Sequence, residues 1–210
     1  MSALDLTGLR AAPVQRTPFE YVVVPSFIQS AAAKAINRDY PRIDQPGSFP
    51  LSEVRYGSAF ANMLAELQCD AVRDLFGEKF RIDLSGRPTM ITVRGRCCEK
   101  DGNIHTDAVS KIITVLIYMN SAWEAPGGRL RLLRSATNLD DVILEVPPVE
   151  GTLLAFRRSD NSYHGHLPFV GQRRVVQLNW VTGDAIVRRE LRRHRFSAIM
   201  KRWFGRRPAA

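Results

Sequence analysis

From Arg87 onward the sequence breaks into short runs rich in β-branched and large apolar residues: Thr89–Arg94, Lys111–Met119, Arg129–Leu133, Val142–Val146, Thr152–Phe156 and Arg174–Val181. Turn-forming clusters separate them at Lys100–Asn103, Ala125–Gly128, Thr137–Asp141, Pro147–Gly151, Arg158–Ser162 and Phe169–Gln172. Many short strands at regular spacing with turns between them indicate a sandwich or barrel and argue against a parallel α/β sheet. Upstream, Phe19–Val24 reads as a strand stopped by Pro25-Ser26, and Ser30–Asp39 as an Ala-rich helix ended before Pro41. A Pro- and Gly-rich loop, Pro41–Pro50, follows. Phe60, Met63, Leu64, Leu67, Ala71, Val72 and Leu75 recur at helical spacing, which predicts one amphipathic helix over roughly 58–76 with Gly77 as its stop. The first ~15 residues read as a loose lead-in. The expected fold class is mainly β (α+β), with two helices ahead of the β-rich core at about 87–182 and a helical, basic segment after Gly183.

A chain of 210 residues with 30 Lys+Arg against 21 Asp+Glu first suggests a nucleic-acid partner. The charge is local, however. Residues 185–210 hold nine basic residues against Glu190 alone, and the other 184 residues are almost neutral. The chain therefore divides into a body, 1–184, and a basic tail, 185–210. In the tail Phe196, Ile199, Met200 and Trp203 form an apolar helical stripe among arginines. That stripe suits packing on the barrel or a membrane surface contact through 185–207 better than nucleic acid, for which no zinc-finger or RNP-like spacing is present. Cys69, Cys97 and Cys98 are too few and too closely spaced for a disulfide framework. Met1–Pro13 has no signal-peptide pattern, and the apolar run Ile112–Met119 is shorter than the about 20 residues of a membrane span. The expected location is cytoplasmic, with attachment at the inner face of a membrane left open.

Chemistry concentrates on the histidines, of which there are four: His105, His164, His166 and His194. His105-Thr106-Asp107 puts an imidazole and a carboxylate at i and i+2, on one face of an extended chain. With His164 from the far end of the strand region they make a facial triad, which suits non-heme Fe(II) and leaves coordination positions open. Zinc is the chemical competitor. Arg174 opens an apolar strand whose one face reads Arg174, Val176, Leu178 and Trp180. A guanidinium there needs a carboxylate partner, and the simplest is a co-substrate carboxylate beside the metal.

The ordered series His105-x-Asp107, Tyr118-Met119-Asn120, Gly127-Gly128-x-Leu130, Gly151–Phe156, His164-x3-Pro168, Arg174 and Trp180 resembles 2-oxoglutarate- and Fe(II)-dependent oxygenases, nearest to the prolyl 4-hydroxylase-like branch. The resemblance implies a double-stranded β-helix (jelly-roll, cupin-like) core. It implies iron on His105, Asp107 and His164, with Arg174 and Tyr118 on the distal carboxylate of 2-oxoglutarate and Leu130 lining that pocket. Arg94 stands roughly where relatives carry a tyrosine that touches 2-oxoglutarate, so it either adds a second cation to the pocket or points outward. The implied activity is a dioxygenase using O2, with ascorbate as an optional reductant, that hydroxylates a substrate and releases succinate and CO2. Pro168 and Arg174 select His164 over His166, which is expected to pack beside the ligands or lie exposed.

Two other readings stay open at this stage: a non-catalytic β-barrel binding module that uses the tail on membrane or nucleic acid, and a zinc-dependent cupin-like hydrolase. The substrate, whether peptide, sugar, lipid or small molecule, has no recognisable code in the sequence. Loops 95–104 and 134–142 are the expected rims of the site, and the oligomeric state is not legible.

Overall fold

In the computed structural model, residues 2–190 and 192 are described. The expected apolar stripe of the basic tail therefore lies outside the described residues. What is described after the barrel is the start of that segment, residues 184–190, which is helical.

The core is two antiparallel sheets. The larger has six strands in the order β1 (Tyr21–Val24), β7 (Leu153–Arg157), β4 (Lys111–Tyr118), β9 (Gly171–Val181), β3 (Thr89–Cys97), β2 (Phe49–Pro50). The smaller runs β6 (Val142–Val146), β5 (Leu130–Leu133), β8 (Tyr163–Gly165). Together they form the expected jelly-roll. The strands expected from sequence are present within a few residues. The two short ones, β2 and β8, lack the length to show an alternating pattern.

Side-chain alternation divides the large sheet between two apolar clusters. Ile113, Val115 and Ile117 of β4, with Val176, Leu178 and Trp180 of β9, face the helices. Leu116 and Tyr118 of β4, with Val175 of β9, face the interior between the sheets. The helix-side cluster is the larger and takes in Phe27, Ile36, Phe60, Met63 and Phe76, with Phe76 and Trp180 rings 5.1 Å apart.

Four helices cover that outer face where two were expected. α1 (Leu6–Ala11) replaces the loose lead-in. Asp5 caps it by accepting from Gly8 N at 2.8 Å, and Leu4 and Leu9 are buried. α2 (Ser30–Arg38) lies where expected, ahead of Pro41. The single helix expected over 58–76 is two, α3 (Ser58–Leu67) and α4 (Asp70–Phe80), broken at Gln68 and Cys69. Their buried faces, Phe60, Met63, Leu64 and Leu67 then Val72, Leu75, Phe76 and Phe80, stay nearly in phase, so periodicity alone does not reveal the break. No helix among the described residues is long and apolar enough to cross a membrane.

Candidate metal and co-substrate site

The two expected histidine ligands are joined through their backbones. His105 N donates to His164 O and His164 N to His105 O, both at 3.0 Å, as an isolated antiparallel pair. Their rings stand 4.3 Å apart. Each Nδ1 is committed to a main-chain carbonyl, His105 to Asn103 O at 2.9 Å and His164 to Ser162 O at 3.0 Å. A carbonyl only accepts, so each Nδ1 carries the proton and each Nε2 keeps a lone pair for a metal.

Asp107 completes the set. It is buried, one oxygen taking the Thr114 hydroxyl and the other Lys111 Nζ at 2.6 Å. Asn179 Nδ2 donates in turn to Thr114 Oγ1 at 2.7 Å, so β4 and β9 together fix the carboxylate. Burial opposes the charge on Asp107, but Lys111, His164 and the Thr114 hydroxyl outweigh it and hold the carboxyl below its ordinary range. Burial pushes His164 down to about 4, against the pull of Asp107, so the imidazole is neutral near pH 7. Ligand atoms of His105, Asp107 and His164 all lie within 4.8 Å of one another, compact enough for one ion. This donor set of two imidazoles and one carboxylate fits Fe(II).

The triad opens into a cavity of about 300 Å³ between the sheets. Successive rungs of strand lead inward from it: Met90, Asn179 and Thr114, then Thr92, Gln177 and Leu116, then Arg94, Val175 and Tyr118. Leu130 lines the cavity as expected.

Of the adjacent pair, Arg173 faces this cavity and Arg174 does not. Arg173 is 6% exposed, donates Nε to Gly128 O at 2.7 Å, and stands over the Tyr118 ring, 5.5 Å from its centroid. Among the described residues no carboxylate pairs with it. Arg174 points the other way, toward α2. Its Nη1 reaches Asn37 Oδ1 at 2.9 Å, the Gln172 amide turns its oxygen to the same guanidinium at 3.1 Å, and the group lies 5.5 Å from the Tyr40 centroid. The reason is the alternation of β9. Its apolar face, which Arg174 shares with Trp180, packs against helices, and the face of Arg173, Gln177 and Asn179 lines the cavity. The polar character of that second face was the available signal.

Tyr118, expected to work with Arg174, lies instead beside Arg173. Its hydroxyl oxygen is buried without a hydrogen-bond partner among the described residues, and burial raises its pKa to about 12 against the pull of Arg173. A buried guanidinium lacking a carboxylate and a buried hydroxyl lacking a partner are jointly what the distal carboxylate of 2-oxoglutarate would satisfy. Arg94 does face the cavity, but its charge is met by Asp101 at 2.9 Å, and it is no free second cation. His166 also lines the cavity, with Nδ1 on Leu167 O at 2.8 Å. Burial, with Arg173 nearby, lowers its pKa to about 4. Of the two expected rims, loop 95–104 supplies Asp101 and Gly102, whereas loop 134–142 contributes no lining residue. Lys111, Thr114, Gln177 and Glu190 line the cavity without having been expected there.

Comparison with known proteins follows this geometry. Residues 96–182 match the family model of the 2OG-Fe(II) oxygenase superfamily. A search of curated protein sequences finds no match. Among solved structures, the fold is similar to a Pseudomonas putida prolyl-4-hydroxylase at 18% identity and TM-score 0.56, over 86% of this chain and 92% of that one. It is also similar to a Trichoplax adhaerens prolyl hydroxylase solved with a hypoxia inducible factor peptide fragment, at 17% identity and TM-score 0.52, over 86% and 88%. HygX from Streptomyces hygroscopicus, solved with nickel and 2-oxoglutarate bound, matches at 12% identity and TM-score 0.52, over 77% and 81%. The family match covers the jelly-roll that carries the His/Asp/His cluster, and the fold is similar to that of the prolyl 4-hydroxylases.

Proposed function

We propose that this chain hydroxylates a substrate at carbon while converting 2-oxoglutarate and O2 to succinate and CO2, with His105, Asp107 and His164 as the metal ligands. The observation that carries the reading is the pairing of Arg173 with Tyr118: a buried guanidinium and a buried hydroxyl, both lacking an anionic partner, one end of a cavity away from three converging ligand atoms.

Fe(II) with 2-oxoglutarate supplies the oxidising chemistry when bound. The protein's part is positional. Arg173 takes the distal carboxylate on two oxygens, which fixes the direction of the co-substrate along the cavity. Tyr118 donates its hydroxyl proton to the same group. Leu116, Leu130 and Val175 give that end apolar walls, which strengthens both contacts by excluding water. Asn103 O and Ser162 O keep the two imidazoles in the tautomer that leaves Nε2 free.

Anaerobic addition of Fe(II) and 2-oxoglutarate should produce the visible metal-to-ligand charge-transfer band, and admitting air should yield succinate. A chain that shows no band, and that binds 2-oxoglutarate equally well with and without His105→Ala, would sink the proposal. A hydrolase acting through zinc would instead turn over without O2.

A further inference from the structure

We propose that Lys111 is a metal-displaced cation: it holds Asp107 in the metal-free protein and turns to an anionic group of the substrate once the carboxylate is shared with a metal. The inference rests on the metal reading above and adds a substrate class to it.

Both Asp107 oxygens already have partners, Oδ2 the Thr114 hydroxyl and Oδ1 the Lys111 ammonium at 2.6 Å. A metal held with His105 and His164 therefore shares an oxygen with one of these partners, through the lone pair the hydrogen bond leaves open, and the partner's charge decides whether it stays. Thr114 is the fixed partner, buried within β4 and itself bonded to Asn179 at 2.7 Å. Lys111 is the movable one. It opens β4 on a flexible four-carbon stem, with its side chain 17% exposed. A divalent ion on the same carboxylate also repels it.

Where the ammonium goes follows from the wall it stands in. Lys111 lines the cavity and pairs in register with Val181, eight residues along β9 from Arg173. The triad's Thr114 rung lies between the two cations, so Lys111 serves the end that Arg173 does not reach. Asp101 at that cavity is taken by Arg94, and Glu190 is paired with Arg189 at 3.6 Å. An ammonium released into a cavity whose own carboxylates are already taken gains most from a new partner charge. A substrate carrying a carboxylate or phosphate near its reacting carbon provides one.

The test uses the full chain with Mn2+ alone as the metal probe. Site-resolved lysine labelling by mass spectrometry should show Lys111 modified several-fold faster with Mn2+ bound, with Lys34, Lys79 and Lys100 as internal references. Lys111→Met should bind Mn2+ about tenfold more tightly, because a competing charge next to the ion is gone; Lys111→Arg should resemble wild type. Unchanged labelling on bound metal, or weaker Mn2+ binding by Lys111→Met, would show that Lys111 merely orients Asp107 and would overturn the proposal. Affinity of the Mn2+ form for 2-oxoglutarate should be the same in Lys111→Met; a loss would assign the lysine to the co-substrate and remove the substrate claim. Compounds that stimulate succinate formation should be anionic, and Lys111→Met should raise their KM at least tenfold with kcat little changed. An uncharged substrate with unchanged KM would contradict this. A wild-type chain that binds no Mn2+ sinks the metal reading itself, whereas unmoved Lys111 on bound Mn2+ sinks only this inference.

Discussion

Replacing Arg173 with methionine should separate the cavity-facing arginine from its neighbour. Arg173 is 6% exposed and donates Nε to Gly128 O at 2.7 Å. If its fork grips the distal carboxylate of 2-oxoglutarate, truncation leaves that carboxylate desolvated and unpaired, a loss of about 2–5 kcal/mol. That corresponds to roughly 30-fold to a few thousandfold in 2-oxoglutarate affinity. Without co-substrate the same variant should be as stable as wild type or more so, because an unpaired buried charge has been exchanged for an apolar side chain of similar length. Arg174→Met makes the opposite pattern. Its bond to Asn37 ties α2 to β9, and its contact with Tyr40 holds the residues just after that helix, so stability should drop by about 1 kcal/mol while co-substrate affinity changes less than about threefold. Titration of the anaerobic charge-transfer band, with thermal melts of the metal-free proteins, measures both quantities. Equal affinity in wild type and Arg173→Met, or a comparable loss in Arg174→Met, would refute the assignment.

Further outcomes follow from the same geometry. Tyr118→Phe should raise the melting temperature by about 2–4 °C without co-substrate, since a buried hydroxyl with no partner is removed, and should weaken 2-oxoglutarate binding. The metal-free protein should lose stability as pH falls. His164 titrates at about 4 when folded and at its ordinary 6.5 when unfolded, so its contribution is intact above pH 6.5 and drains away toward pH 4, with about 2 kcal/mol gone by pH 5. His166, also lowered to about 4, acts in the same window, Asp107 adds its loss only as pH falls through the ordinary carboxylate range and below, and a melting temperature flat between pH 7 and 5 would contradict the burial argument. Gly102→Ala should destabilise the loop that leads to His105. At φ +101° an added Cβ would lie 2.3 Å from His166 O, so both the melt and Mn2+ affinity should fall.

The candidate metal site was legible because ligand chemistry shows in residue type. Two histidines and an aspartate with a His-x-Asp spacing need no knowledge of neighbours to be suspected, and the β-rich runs supplied a scaffold that brings distant residues together. The choice between Arg173 and Arg174 required knowing what covers each face of β9. An apolar face looks like an interior, and it is one, but the interior it belongs to is the seam between sheet and helices. Val176, Leu178 and Trp180 describe that seam correctly while pointing away from the chemistry. Lys111 escaped notice for a related reason: a lysine at a strand's first residue reads as solvated, and only the register places its ammonium on Asp107. The break between α3 and α4 was hidden because apolar periodicity persists across Gln68 and Cys69, and α1 is too short for periodicity to register at all.

The paired backbones of His105 and His164 bear on which metal the proposed site would take. Two of three ligands are aligned by main-chain hydrogen bonds at 3.0 Å, and the third by Thr114, so the site's shape is built by folding rather than by the ion. An ion entering a finished site meets two nitrogens and an oxygen that many first-row divalent metals accept, in an affinity order set by their own chemistry and favouring nickel, copper and zinc over iron. Such a site discriminates weakly by shape. Loading with iron is then decided by supply: which ions are free where the chain folds, and which co-substrate waits there to hold one in place.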